Sequence, residues 1–340
     1  MVSIVVPHYN GKEILYNCLK ALAKTAYSNK EVIVVNNASV DNSVITLEND
    51  FPWVRLVNNQ KNMGYAGGCN VGFDASHGEL ILFLNNDTEF GPDWLQPLVD
   101  CCLSNDKIAA CQPKILALKT PERFDYSGAA GGLIDILGYP FARGRIFFTT
   151  EKDERQYDKP CDIFWASGTA FLVKKSALLQ VEKFDETFFA HMEEIDLNWR
   201  LHLAGYRVLV APESVVYHNS GSTLKPDSYI KIFLNHRNNL VMMIKNYQLS
   251  SLLWLLPARL FLEFITLLFA VIKLDLVRIR AVVAAFFYVL AHLSAVIKKR
   301  AEVQKSRCVT DKVIFSKMYR GSIVFDYFVR GIRSVRELKL

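Results

Sequence analysis

Apolar runs and polar stops alternate along the first hundred residues. Val2–Val6 is a short β-branched run ended by Pro7, which predicts a strand. From Gly11 to Ala23 the apolar positions Ile14, Leu15, Cys18, Leu19 and Leu22 share one side of a helix. Glu31–Val35 predicts a second buried strand, Asn36–Ser43 a polar turn, and a helix runs on to Asn49. Val54–Val57 and Leu80–Leu84 read as third and fourth strands, and Pro92–Leu103 as a helix opened by proline. The stretch Asn62–Gly72 is glycine-rich. Residues 120–160 look irregular and read as an insertion or an acceptor-side loop. Regular pattern returns in the apolar run Thr169–Val173, an acidic helix near Glu193–Leu203, a strand Arg207–Val210 and the segment Val215–His218.

Strands alternating with helices predict an α/β fold with a parallel, doubly wound sheet and right-handed crossovers. Ligands of such sheets bind beyond the carboxyl ends of the strands. Three polar segments fall there: Pro7–Gly11, Asn36–Asp41 and Asn85–Glu89.

The far end of the chain is greasy. Residues 249–272 are nearly all apolar, and Arg259, Glu263, Thr266 and Lys273 fall on one narrow helical stripe. Ala281–Ile297 forms a second apolar run that includes His292, at the lower length limit for a span. A hairpin across a bilayer would leave Lys273, Arg278 and Arg280 in the far loop, against the positive-inside rule. Helices lying in the interface fit better, helped by Lys298-Lys299-Arg300. The competing reading is a helical pair packed on the rest of the chain or in a homodimer.

Charge sharpens this picture. The net charge of +6 conceals a tail from Lys273 to Leu340 with 15 Lys/Arg against 5 Asp/Glu, behind a mildly acidic front. A basic tail suits nucleic acid or an anionic membrane surface. The preceding apolar stretch selects the membrane, with no nucleic-acid partner. The seven cysteines are odd in number and contain no CxxC pair, which speaks for a reducing compartment over a disulfide framework or zinc site.

Four clusters carry candidate chemistry. In Leu84-Asn85-Asn86-Asp87-Thr88-Glu89 an apolar strand delivers oxygen ligands to a sheet edge, where Mg2+ or Mn2+ could sit with only one or two protein carboxylates. An Asx-turn capping the next helix is the plainer reading. In His191-Met192-Glu193-Glu194-Ile195-Asp196 three carboxylates crowd one turn, so one is expected to have a raised pKa and to serve as a general base. A solvated helix start favoured by the dipole is the alternative. His218, just after an apolar run, could ligate a metal or be a satisfied polar residue. In Asn62-Met63-Gly64-Tyr65-Ala66-Gly67-Gly68-Cys69-Asn70 the glycines would let backbone amides approach a ligand, or form a plain turn; the run lacks the GxGxxG spacing of a dinucleotide fingerprint.

In this order and spacing the segments resemble family 2 glycosyltransferases of the GT-A fold, in the rhamnosyltransferase-like branch that builds bacterial cell-surface polysaccharides. The resemblance covers roughly residues 1–240. It implies a GT-A catalytic domain over 1–240, with a nucleotide-sugar half over about 1–115 and an acceptor half over about 116–240, followed by a helical membrane-associating region over 241–340. It implies that Pro7, Tyr9, Asn10, Asn36, Asn37, Ser39, Asp41, Asn62, Gly64, Gly67, Gly68, Asn70, Asn85 and Asn86 line the nucleotide-sugar site. Asp87 falls on the metal motif, with His218 assisting the metal. Phe184-Asp185-Glu186 and the acidic run stand at the catalytic motif, with Glu194 as base and Glu193 or Asp196 able to take that role. Two departures stand out: the family often has Asp where this chain has Asn36, and Glu-Asp where it has Glu193-Glu194.

The implied chemistry is a single displacement with inversion. The donor would be a nucleotide diphosphate-sugar carrying rhamnose or another hexose, the cofactor a divalent metal, and the acceptor a lipid-linked saccharide or polysaccharide. The implied place is the cytoplasmic face of the inner membrane, held peripherally. A catalytically inactive membrane-bound sugar-binding scaffold is the alternative. A nucleotidyltransferase would want a basic, glycine-rich loop after the first strand, which Pro7-His8-Tyr9-Asn10-Gly11 does not provide.

Overall fold

The structure, a computed structural model, describes residues 1–220 and 228–338. Residues 221–227, within the expected acceptor half, and the last two residues of the basic tail lie outside the described residues.

The expected strands form: β1 (Val2–His8), β2 (Lys30–Asn36), β3 (Val54–Asn58) and β4 (Leu80–Leu84). They are followed by β5 (Thr88–Phe90), β6 (Ile108–Ala117) and β7 (Thr120–Phe124). The stretch read as irregular contains a four-stranded sheet of its own, made of β8 (Gly132–Ile134), β9 (Pro140–Ala142), β10 (Arg145–Ile146) and β11 (Thr149–Thr150). These strands are two or three residues long, too short for a sequence period to register. Then come β12 (Cys161–Asp162), β13 (Ala170–Lys174) and β14 (Arg207–His218). The two segments expected as separate, Arg207–Val210 and Val215–His218, are one strand whose register slips between Ala211 and Val215.

The main sheet has the order β12-β14-β6-β13-β4-β1-β2-β3, with β5 on β14 and β7 on β6. It is mixed: β4, β1, β2 and β3 run parallel, and so do β6 and β14, but β13 lies antiparallel between β4 and β6. The register sets His8 against Asn36 and Asn36 against Asn58, so the polar strand ends collect on one edge.

Alternation along β1 feeds two cores. Ile4 and Val6 face Leu15, Leu19 and Leu22 of α1 (Lys12–Ala23). The helix expected to reach Asn49 is a single turn, α2 (Leu47–Asp50). Val5, with Ile33 and Val35, faces Ala66, Cys69 and Phe73 of α3 (Gly64–Asp74). The glycine-rich stretch, for which a plain turn was one of two open readings, is therefore a helix, and the cause is packing. A Cβ on Gly72 would stand 2.1 Å from Val5 and one on Gly68 2.7 Å from Asn37, so the glycines let α3 lie close on the sheet. The helix α4 (Leu95–Leu103) covers the first core. The other face also receives α5 (Lys175–Val181) and the acidic helix α6 (Glu193–Leu203), through Leu178, Leu197 and Leu201.

Four long helices follow: α7 (Tyr229–Asn246), α8 (Leu249–Ile272), α9 (Leu276–Ala291) and α10 (Leu293–Ser306). Residue 240 falls inside α7, and one apolar cluster joins Trp165, Trp199 and Met243 to Leu255, Val289 and Val303. The run Ala281–Ile297 is not one helix: the chain bends by 70° between α9 and α10, at His292. Among the described residues, α8 is long and apolar enough to cross a membrane, with a mean hydropathy of 2.1. Its polar stripe turns inward. Arg259 and Glu263 are buried and paired at 2.5 Å, Glu263 also meets His236 of α7 at 2.5 Å, and Arg259 lies over the Tyr139 ring. The outward side of α8 shows Trp254, Phe261, Phe264, Ile265, Leu268 and Ile272.

Candidate functional site

The polar strand ends interlock. His8 bonds Ser43 through Nε2 at 2.8 Å and accepts from the Asn86 amide at Nδ1 at 2.7 Å. Burial lowers the His8 pKa to about 4 despite the opposing charge of Asp41, so the ring is neutral and bridges two loops. The Asn10 N–H donates to Ser39 Oγ at 3.0 Å, the Val40 N–H to Asn10 Oδ1 at 2.9 Å and the Gly11 N–H to Asp41 at 2.5 Å. Asn36 accepts from the Ser39 N–H at 2.9 Å and donates to Asn58 at 2.9 Å. Asn37 donates to the Gly64 carbonyl at 3.0 Å and accepts from Asn59 at 2.8 Å. Pro7 is buried beneath this edge, whereas Tyr9 stands out from it. Asn85 anchors to Thr169 through its N–H at 2.9 Å.

The glycine segment contributes differently from the expectation. Asn62 caps the N–H of Gly64 at 2.9 Å. Gly67 and Gly68 lie within α3, where a Cβ would strike Met63 and Asn37 at 2.6 and 2.7 Å. Asn70 donates to the Phe184 carbonyl and to Glu186 at 2.9 Å each.

Asp87 and His218 meet. His218 Nε2 lies 3.0 Å from Asp87 Oδ1, and its Nδ1 lies 2.9 Å from Asp125. Burial alone would lower the pKa of His218, but hydrogen bonds to Asp125 and Asp87 raise it to about 10. Asp125 is itself fixed by Ser220 Oγ at 2.7 Å and the Ser127 N–H at 2.7 Å. β-Pairing of β5 with β14, His218 opposite Thr88, brings the two distant motifs together. Among the described residues no group of three or more His, Cys, Asp or Glu side chains is arranged to hold a metal. An ion here would displace the proton held between His218 Nε2 and Asp87, take both side chains as ligands and draw its others from phosphate oxygens and water, a donor set that suits Mn2+ or Mg2+.

The acidic helix begins under strain. Phe189, His191 and Met192 all hold left-handed backbone, with φ of 64°, 67° and 71°. Such conformations cost a side-chain-bearing residue about 1 kcal/mol or more each and persist only where neighbours impose them. The neighbours are visible. Asn238 of α7 donates to the carbonyls of Phe188, Ala190 and His191 at 3.0, 3.0 and 2.7 Å. Arg237 donates to those of Thr187 and Phe188 at 2.7 and 2.9 Å. The Ala66 N–H donates to Phe189 O at 3.2 Å.

This loop sets two carboxylates at the first turn of α6. Glu193 Oε2 and Glu194 Oε2 are buried and lack a hydrogen-bond partner. Burial first, and then the charge of Glu194, push Glu193 well above the carboxylate range; burial raises Glu194 to about 7. Both acids act electrostatically on Tyr65 and Cys69 of α3, and Tyr65 bonds Gly168 O at 2.6 Å. The pair therefore borders the segment Ala166–Thr169 that also anchors Asn85. Asp196 is placed otherwise. Fully buried, it is saturated by Arg200 at 3.0 Å, Lys245 at 3.1 Å and Asn246 at 2.9 Å, and ties α6 to α7 instead of offering a free base. Asp185 is likewise occupied, by Lys245 at 2.6 Å and by Lys299.

Sequence reasoning passed over His8, Asp125 and Asn238. His8 carried a signal, since it stands inside a polar strand end. Asp125 and Asn238 carried none, because only the fold brings them to His218 and to the acidic loop.

Comparison with known proteins bears on the fold and the family. The chain is 26% identical over 278 residues to an N-acetylglucosaminyl-diphospho-decaprenol L-rhamnosyltransferase of Mycobacterium tuberculosis, covering 76% of this chain and 88% of that one. It is 27% identical over 216 residues to a poly-beta-1,6-N-acetyl-D-glucosamine synthase of Staphylococcus aureus, covering 62% of this chain and 48% of that one. A crystal structure of GalNAc-T7 with UDP, GalNAc and Mn2+ superposes with a TM-score of 0.59 at 13% identity, over 74% of this chain and about half (48%) of that one, a likeness of fold. The family model described as "Glycosyl transferase family 2" matches residues 3–185, more than half of the chain. A mixed α/β sheet with its polar strand ends on one edge, facing an acidic helix, thus belongs to a glycosyltransferase of family 2.

Proposed function

We propose that this glycosyltransferase moves rhamnose or a related hexose, with inversion, from a nucleotide diphosphate-sugar to a lipid-linked or polysaccharide acceptor in cell-surface glycan synthesis. The observation that carries the chemistry is the Glu193–Glu194 pair. Two buried carboxylates with unpartnered oxygens stand at a strained helix start, one of them with a pKa near 7. A carboxylate so placed takes a proton from an acceptor hydroxyl far better than a solvated one at neutral pH. Glu194 is the base, and Glu193, held neutral by burial and its neighbour, shapes the acceptor pocket. The acceptor oxygen then attacks the anomeric carbon from the face opposite the phosphate as charge builds on the departing diphosphate. The saturated Asp196 fixes α6 and leaves this step to Glu194.

The donor would lie along the interlocked edge. Asn36 and Asn37 meet the base, with Ser39, Asp41, Asn10, Tyr9 and Pro7 beside it, Asn85 and Asn86 near the diphosphate, and Asn62, Gly64, Gly67, Gly68 and Asn70 shaping the wall through α3. Asp87 and His218 would hold a divalent ion, which supplies charge neutralisation to the leaving diphosphate. The solved relative by fold that carries Mn2+ supports this reading, as does the relative whose acceptor is a diphospho-decaprenol. Residues 1–240 form the catalytic unit in this reading, and 241–340 hold it peripherally on the cytoplasmic face of an anionic inner membrane. Outward Phe261, Phe264, Leu268 and Phe286, bordered by Lys273, Arg278 and Arg280, suit an amphiphilic surface.

Calorimetry with nucleotide diphosphates and their sugars, with and without Mn2+, tests the donor site. Metal-dependent binding of one nucleotide, lost in Asp87→Ala with the melting curve unchanged, is the expected result. Absence of nucleotide binding under every metal condition would put the inactive-scaffold reading in front.

A further inference from the structure

One buried cation stands out: the charge of Asp125 and the Tyr126 side chain act on it, but it closes no salt bridge among the described residues. Arg145 of β10 is 7% exposed and makes no ion pair there. Its Nε lacks a hydrogen bond, and its Nη1 reaches Phe147 O only at 3.5 Å. Its guanidinium lies 4.6 Å from the centre of the Tyr126 ring. Asp125, the acid nearest in sequence to Tyr126, is committed to His218, Ser220 and the Ser127 N–H. The unpartnered Nε of a buried guanidinium is a donor that an arriving anion can take.

A second cation shares the same ring. Lys231, in the first turn of α7, sits 5.8 Å from the Tyr126 centre and forms no ion pair among the described residues. Its charge also reaches His191, whose buried Nε2 lacks a partner and whose pKa burial lowers to about 4. His191 stands two residues before Glu193. Two cations outside any salt bridge among the described residues and an orphaned imidazole nitrogen thus gather around one half-exposed tyrosine, beside the acidic pair. Next along α7, Ile232 packs on Ala281 and Val282 of α9, whose other side exposes Phe286, Phe287 and Leu290. The cations lie where the polar site meets the greasy surface.

We propose that Arg145 and Lys231, across the Tyr126 ring, receive the phosphate groups of an amphiphilic acceptor, a saccharide joined to an isoprenoid chain through a diphosphate. A guanidinium fork and an ammonium together match phosphate oxygens. The apolar side of α9 takes the chain, and the saccharide then reaches Glu194. This rests on the transferase reading above and adds which residues recognise the acceptor.

The test is calorimetric and uses the full chain with three probes: geranyl diphosphate, geraniol and inorganic pyrophosphate. Nucleotide diphosphate with Mn2+ is measured on the same samples. Lys231→Gln, half-exposed and safe for folding, and Arg145→Gln should each weaken geranyl diphosphate binding by about tenfold or more while leaving geraniol and nucleotide affinities unchanged. Equal affinity of wild type and Lys231→Gln for geranyl diphosphate overturns the proposal. So does loss of nucleotide binding in the variants, which reassigns the cations to the donor. Pyrophosphate binding as tightly as geranyl diphosphate overturns the amphiphile and leaves a free-phosphate site. Failure of the transferase reading shows separately, as absence of nucleotide binding by the wild-type protein. A lowered melting temperature in Arg145→Gln leaves Lys231→Gln as the deciding variant.

Discussion

The proposed donor side and the proposed acceptor side of the site are built on opposite plans. On the donor side the polar side chains at the strand ends are bonded from loop to loop: His8 to Ser43 and Asn86, Asn10 to Ser39 and Val40, Asn36 to Asn58. On the acceptor side Glu193 and Glu194 keep buried oxygens without partners, behind three left-handed residues. One side is a satisfied network, rigid before any ligand comes. The other holds strain and raised carboxylates in place through a neighbouring helix. Recognition of a nucleotide needs a fixed frame, whereas taking a proton needs a group that is uncomfortable where it stands.

Removing the uncomfortable group breaks the comparison most sharply. Glu194→Ala should lower kcat by about a hundredfold to ten-thousandfold, with nucleotide affinity intact. In the wild type the rate should climb as pH rises through about 7, as Glu194 loses its proton. Stability should move the other way. The folded chain keeps that proton up to about 7, where the ordinary value is 4.5, so the folded state binds more protons between the two and loses stability as pH rises across that window. Glu194→Gln should therefore melt higher than wild type at pH 8 and no higher at pH 4; equal shifts at both would show that Glu194 is not buried as a neutral acid.

Loosening the frame around the acids comes next. Asn238→Ala leaves the carbonyls of Phe188, Ala190 and His191 without their donor and should cost about 1–3 kcal/mol in stability. It should also lower kcat more than donor KM, and move the acid limb of the pH–rate profile down as water reaches Glu194. A fall in stability with kcat and the profile unchanged would separate the loop's strain from its chemistry. The smallest change belongs to the donor side. Asn36→Asp keeps the acceptor oxygen for the Ser39 N–H but loses the donor to Asn58, and should alter nucleotide affinity by about tenfold or less, read as a change in preferred base across a calorimetric panel.

Much of the donor side was legible in the chain because its residues are local. Polar clusters follow directly on apolar strands, and parallel pairing aligns those ends. The acidic helix was legible to the residue, Glu193–Leu203, because its apolar spacing is regular. The helix in the glycine run was not legible because glycine weakens helix propensity, and the contacts that override it, Val5, Asn37 and Phe189, lie far off in sequence. The antiparallel β13 left no mark, since a buried strand reads alike in either direction. Asp196 and Glu194 are indistinguishable in sequence; only Arg200, Lys245 and Asn246 tell the structural acid from the unpaired one.

The bend at His292 has a practical meaning for anyone who would shorten this chain. Past it, α10 comes back under α7: Arg300 donates to the carbonyls of Ile244 and Tyr247, and Gln304 to those of Lys245 and Asn246. These are the open carbonyls at a helix end that something must satisfy. The tail therefore works as the lock on the helix that carries Lys231 and Asn238, and a protein trimmed at the bend would keep the apolar α8 and α9 while loosening the loop that leads into Glu193.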